Sequence, residues 1–171
     1  IDPSLLKRMT DAIAHRGPDG EGQWVQENVG IGHRRLSIID LSETGHQPMV
    51  DEKDRFVLSY NGEVYNYREL RADLEAEGVW FRSQTDSEVV LNALAHWGTG
   101  ALLKFNGMFA LALWDRKEKT LLLARDRYGA KKYMAYIQAF SATFGKSQQP
   151  MYLDLLDSFD FTAVSIGTRP S

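Results

Sequence analysis

Apolar residues recur along the chain at two spacings, and the switches between them mark the elements. Leu5, Leu6, Met9 and Ile13 repeat at helical spacing. Asp2-Pro3 ahead of them offers an N-cap followed by proline at the first helical position. Arg16-Gly17-Pro18-Asp19-Gly20 ends that helix in a turn. From Gln23 to Asp40 short apolar runs alternate with polar residues, which predicts strands near 23–27, 29–33 and 35–39. Gly45 to Pro48 reads as a loop. Phe56 to Tyr60 is a strand that runs straight into Asn61-Gly62, a dipeptide favouring positive φ and tight turns.

Asn66 with Glu69 has the form of a capping box, Leu70 and Leu74 give that helix its inner face, and Gly78 stops it. Val79 to Arg82 reads as a short strand. Thr85 or Asp86 caps a helix with the face Val90, Leu91, Leu94 and Trp97, ended by Gly98. Met108 to Trp114 is apolar on both faces, as a central strand should be, and Thr120 to Arg125 returns as its hairpin partner after a polar turn. Two weakly periodic helices are expected near 131–140 and 151–159. The mixed order argues for an α+β fold, with antiparallel sheet and packed helices, rather than a βαβ repeat.

Composition narrows the picture. The 171 residues are 43% hydrophobic and 25% charged, ordinary for one soluble domain. A net charge of −3 offers no surface for nucleic acid or membrane. No apolar run approaches a membrane span and no signal peptide is visible, so a cytoplasmic location is the default. A chain beginning Ile-Asp-Pro reads as one whose natural start lies upstream. Cysteine is absent, which excludes disulfides, thiolate metal sites and thiol chemistry within these residues. His15, His33, His46 and His96 share no metal-ligand spacing. Gly145-Lys146-Ser147 looks like the end of a phosphate loop, but Phe140 stands where its first glycine is needed.

Three groups could carry chemistry. Asn61-Gly62-Glu63 at a strand end could aim an amide N–H and a side-chain amide at a developing oxyanion; the plainer reading is a hairpin turn. Of Arg34 and Arg35 on an apolar strand, alternation turns one inward, where a guanidinium suits a bidentate carboxylate; the plainer reading is an internal ion pair or an exposed edge charge. Asp86 in Thr85-Asp86-Ser87-Glu88 could bind an ammonium group with one oxygen; the plainer reading is capping alone.

Together these pieces resemble one family. His15-Arg16-Gly17-Pro18-Asp19-Gly20, Gly32-His33-Arg34-Arg35-Leu36-Ser37-Ile38-Ile39-Asp40, Gly45-His46-Gln47-Pro48-Met49, Tyr60-Asn61-Gly62-Glu63-Val64-Tyr65-Asn66-Tyr67, Thr85-Asp86-Ser87-Glu88, Phe105-Asn106-Gly107-Met108-Phe109-Ala110 and Arg125-Asp126-Arg127-Tyr128-Gly129 are similar, in order, to blocks of the class II glutamine amidotransferase domain of glutamine-hydrolysing asparagine synthetase. The resemblance covers residues 1–129 and implies an αββα sandwich of the N-terminal nucleophile (Ntn) hydrolase type, with mostly antiparallel sheets. It implies L-glutamine as substrate, Asn61 and Gly62 in an oxyanion hole, Arg35 on the glutamine α-carboxylate, and Glu63 and Asp86 by its α-amino group. Arg16 to Asp19 is expected to shape a loop near the site.

Two departures follow. The family's Met-Cys-Gly opening and first strand are absent, so the resemblance implies a missing nucleophile and an inactive chain when alone. After Gly129 the pattern is lost, leaving 130–171 as a divergent segment of unassigned role. No Ser-Gly-Gly-x-Asp-Ser loop is present, so ATP and Mg, the cofactors of the family's synthetase domain, have no place in this chain. The expected partners are glutamine and that synthetase domain, with a homodimer left open. The expected activity is the ammonia-supplying half of an asparagine-synthetase-like enzyme. The alternative is an inert glutamine-binding or regulatory module, or a non-functional fragment.

Overall fold

The computed structural model describes residues 2–27, 29–35, 45–127 and, as a backbone strand, 164–167. Helix α1 (Pro3–Ala12) begins as its sequence dictates, with the Asp2 carboxylate accepting from Ser4 N at 2.8 Å. Its buried positions are Leu6 and Thr10, while Met9 stays 39% exposed, so the inner face is narrower than the apolar spacing suggests. Those two side chains lie against Gly32, where a Cβ would run into Thr10 Cγ2. Strand β2 (Val29–Arg35), which carries Gly32, pairs antiparallel with β1 (Gly20–Gln26). The expected strands at 29–33 and 35–39 are therefore joined through Arg34, and 36–39 lies outside the described residues.

A second, antiparallel sheet has the order β3 (Met49–Val50), β4 (Phe56–Val64), β5 (Gly107–Asp115), β6 (Thr120–Arg125) and β7 (Val164–Gly167). Alternation along its strands sorts the core into two parts. Leu58, Tyr60 and Val64 of β4, with Phe109, Leu111 and Leu113 of β5, pack against α2 (Tyr67–Ala76) and α3 (Asp86–Trp97). Val57, Ala112, Trp114, Leu121 and Leu123 point the other way and meet Val29 and Ile31 of β2. The layers are thus α1, the two-stranded sheet, the five-stranded sheet, and α2 with α3: the αββα arrangement that the family resemblance implied. Each aliphatic buried in the seam contributes about 1.5–3 kcal/mol. The Lys119–Glu27 ion pair, with side chains 43% and 68% exposed, adds at most about 1 kcal/mol. Burial, not surface charge, holds the sheets together.

Three local expectations are corrected. Asn61-Gly62 is no turn: β4 runs on to Val64, pairing Asn61 with Ala110 and Gly62 with Phe109. Glycine is required there by close approach, since a Cβ would collide with the Met108 carbonyl. Val79–Arg82 is irregular rather than a strand, because the amides of Arg82 and Ser83 are taken by the Glu88 carboxylate at 2.8 and 2.6 Å. Asn66 forms no capping box; its side chain accepts from Asn106 N and donates to Lys104 O, both at 2.9 Å. The helix stops at Gly78 and Gly98 do use positive φ, at 86° and 62°. The helices expected near 131–140 and 151–159 lie outside the described residues.

Candidate functional site

Along β2 the seam-facing positions run Val29, Ile31, His33 and Arg35; along β4 they run Val57, Ser59 and Asn61. The two rows turn polar at the same level. His33 Nδ1 lies 3.0 Å from Ser59 Oγ, and both residues are buried. One step further, Arg35 and Asn61 follow on the same faces, each half-buried. Burial, together with the positive charge of Arg35, pushes the His33 imidazole down to about 4, so it is neutral at neutral pH. Arg34 faces the other way, donating to Thr10 O at 3.0 Å and pairing with Asp11 and Glu21 at 2.5 and 2.9 Å. Arg35 is therefore the inward arginine. The Arg16–Gly20 turn is moulded to it: Asp19 N donates to Arg35 O at 3.1 Å, and a Cβ on Gly17 would lie 2.7 Å from Arg35 N.

A short loop links this strand end to β4. Gly45 lies on the Arg35 guanidinium, where a Cβ would come within 2.8 Å of Nη2. Two residues later the Gln47 side chain donates to Tyr60 O at 2.8 Å and accepts from Tyr60 N. Two residues of backbone reach at most about 7 Å, so one short loop touches both Arg35 and the Tyr60 main chain.

Beyond Leu58, where β3 ends its pairing, that edge of β4 has no neighbouring strand among the described residues. Tyr60 spends its outward N–H and C=O on Gln47. Val64 N, on the same side, donates to Asp86 Oδ2 at 3.2 Å. Peptides of alternate residues turn to the same edge, which puts the Gly62 N–H between these two. Asp86 opens α3 without capping it; Thr85 is the cap, accepting from Glu88 N at 3.3 Å. Asp86 Oδ2 also accepts from Tyr60 OH at 2.8 Å. Burial, then the charges of Asp86 and Glu63, push the Tyr60 phenol above its ordinary pKa. Glu63 itself is exposed at the rim.

Arg35 and Asn61 thus follow each other at the polar end of the seam, while Gly62 and Asp86 lie along the open edge of β4 and Glu63 is exposed beside them. Sequence reasoning missed Gln47 and Tyr60 as fasteners of that edge. It also missed His33 and Ser59, whose signal was present: both are polar residues at inward positions of apolar strands. A cavity of about 320 Å³ opens beside the same loop, lined by His46, Pro48, Met49, Val50, Arg82, Ser83 and Glu88. Among the described residues, no group of three His, Asp or Glu side chains could hold a metal ion, and no helix is long and apolar enough to cross a membrane.

A family model described as a glutamine amidotransferase domain matches residues 2–156. The chain belongs to this glutamine amidotransferase family. Its curated relatives include asparagine synthetase [glutamine-hydrolyzing] 1 of Bacillus subtilis, 46% identical over 127 residues, covering 74% of this chain and 20% of that protein. Asparagine synthetase [glutamine-hydrolyzing] 3 of the same organism is 39% identical over 176 residues, covering 99% of this chain and 28% of the relative. Amidase chry2 of Gibberella zeae is 44% identical over 128 residues, covering 74% and 19%. The amidotransferase chain thus spans between a fifth and just over a quarter of the length of the two synthetases. Among solved structures, the glutamine phosphoribosylpyrophosphate amidotransferase of B. subtilis matches at a TM-score of 0.49 and 22% identity, covering 58% of this chain and 23% of that one. The match of the family model runs past residue 129, where the recognisable motif blocks end.

Proposed function

We propose that this amidotransferase domain binds L-glutamine at the open edge of β4 and presents its side-chain amide for hydrolysis to glutamate and ammonia. Arg35 takes the α-carboxylate in a two-pronged, charge-assisted contact. The Gly62 N–H and the Asn61 side chain hold the amide oxygen, where negative charge develops as the carbonyl is attacked; one such donor is worth about 10²–10³ in rate. Asp86 and, from the rim, Glu63 receive the α-ammonium group. The attacking thiol is not among these 171 residues, so this chain's own share of the work is to bind and orient. In a full-length protein the ammonia would serve ATP-dependent amidation of aspartate at a separate synthetase domain. ATP and magnesium would act at that separate domain, and no step described for this chain runs through them.

The observation that carries this reading is the Gly45–Gln47 loop, which touches the Arg35 guanidinium at one end and the β4 edge at the other. Calorimetry with L-glutamine tests it. A hydrogen bond to a charged group is worth about 1.5–3 kcal/mol, so Arg35→Ala should weaken binding roughly 10- to 150-fold. Equal affinity in wild type and variant would sink the reading. The absence of cysteine supports a second one, in which the chain holds glutamine and does no chemistry. Its signature is glutamine binding that is lost in Arg35→Ala, with no release of ammonia even after the family's Met-Cys-Gly opening and first strand are restored; release of ammonia by that restored chain favours the first reading.

A further inference from the structure

The Tyr60–Asp86 contact is not accounted for by helix capping. Thr85 already caps α3, and Asp86 turns away from the amides of its own helix to reach β4. Tyr60 is 2% exposed and held on every side. Gln47 takes its main-chain N–H and C=O, its ring is buried in the core cluster shared with α3, and its hydroxyl ends on Asp86. A phenol fixed in this way cannot follow a moving partner; the partner must come to it. Its hydroxyl remains a donor throughout the neutral range, because burial and the nearby carboxylates oppose its ionisation. Two donors, Tyr60 OH and Val64 N, both land on Oδ2 of Asp86. That pins Oδ2 from two directions and leaves Oδ1 outside both bonds.

We propose that Tyr60 is the positioning residue for the ammonium end of the site: by holding Asp86 Oδ2 it presents Oδ1 to the ligand, and so makes the site select free α-amino acids over their deamino counterparts. This rests on the glutamine reading above and assigns its selectivity to a residue that touches no ligand atom. An aspartate without this anchor keeps its charge but samples several rotamers, and ordering it upon binding subtracts from the gain.

The test is a ratio of affinities, measured by calorimetry on the full chain. L-glutamine and glutaramate carry the same amide and carboxylate, but glutaramate lacks the ammonium group. Wild type should prefer glutamine by tenfold or more. Tyr60→Phe should cut that preference at least threefold while leaving glutaramate binding unchanged. A ratio that survives Tyr60→Phe, even with both ligands weakened alike, overturns the positioning role, since a merely structural loss moves both together. Should Tyr60→Phe fail to melt cooperatively, Asp86→Glu takes its place: it keeps the charge but displaces the carboxylate from the hydroxyl, and a retained ratio there is equally fatal. If wild type shows no preference and Arg35→Ala changes nothing, the glutamine reading falls and this role falls with it.

Discussion

His33 sets the pH response of the domain at the scale of a single residue. Its folded pKa of about 4 lies below the value near 6.5 of an unfolded histidine. Between those values the unfolded chain binds the extra proton, so stability rises with pH across that window. The contribution is complete above about pH 6.5 and is lost as pH falls toward 4, by up to about 1.4 kcal/mol per unit. Asp115 acts lower down. Burial there is outweighed by Arg55 and the Glu118 and Lys117 amides, which hold its carboxyl below the usual range. Its share is therefore lost only below about pH 4. Urea midpoints between about pH 5.5 and 7, above the range where Glu21 and Glu77 begin to lose their share, should thus fall with acidification in wild type and fall less in His33→Gln. The same slope in both proteins would remove His33 as the cause. Glu88 shows the complementary case, a buried carboxylate that accepts from Arg82 N, Ser83 N and Ser83 Oγ. Its position at the third residue of α3 follows the Thr-x-x-Glu capping pattern, yet what it organises is the irregular segment before the helix.

At the scale of the element, β4 serves three ends at once: one face to α2 and α3, the other to the seam, and one edge to the candidate site. Its pairing with β5 is unusually close at two glycines. A Cβ on Gly107 would meet Val64 Cα at 2.8 Å and collide with the Glu63 carbonyl, as one on Gly62 would with Met108. Neither glycine has positive φ, so the constraint is space, not backbone conformation. Gly107→Ala should therefore destabilise the domain by about 1–3 kcal/mol, the usual cost of overpacking. Denaturant titration checks this, and an unchanged midpoint would show that the two strands can part freely. The same crowding explains why Asn61-Gly62 misleads a local reading. Asn-Gly favours a turn in isolation, but nine residues of ladder from Phe56 to Val64 outweigh that preference.

Across the whole molecule, protection from hydrogen exchange should follow the layering. β5 has strands on both sides and Phe109 through Asp115 are all buried, whereas β1 has Trp24 and Val25 only partly covered. Amides of β5 should exchange last and those of β1 first, by amide exchange followed with NMR. Faster exchange in β5 than in β1 would contradict the arrangement of layers. Much of that arrangement was legible in the chain. The helical spacing of Leu70 and Leu74, the apolar run from Met108 to Trp114 and the glycine stops at 78 and 98 are local signals, and each states its own period or backbone requirement. The inward choice of Arg35 over Arg34 was half legible. Alternation demanded that one turn in, but only the Asp11 and Glu21 carboxylates beside α1 decided which.

Residue order alone determined the three helices and the long strands, because hydrophobic period is a property of neighbours in the chain; it misjudged Asn61-Gly62 and Val79–Arg82, where partners distant in sequence decide. It also excluded a thiol from these 171 residues, because composition needs no coordinates. Tertiary structure decided what stands beside what: Gln47 on Tyr60, Tyr60 on Asp86, His33 on Ser59. Those partners are 13 to 26 residues apart, and a polar side chain satisfied at such distance leaves no periodic trace. Sheet on sheet brings His33 to Ser59, helix on sheet brings Asp86 to Tyr60, and a loop along the strand edge brings Gln47 to Tyr60.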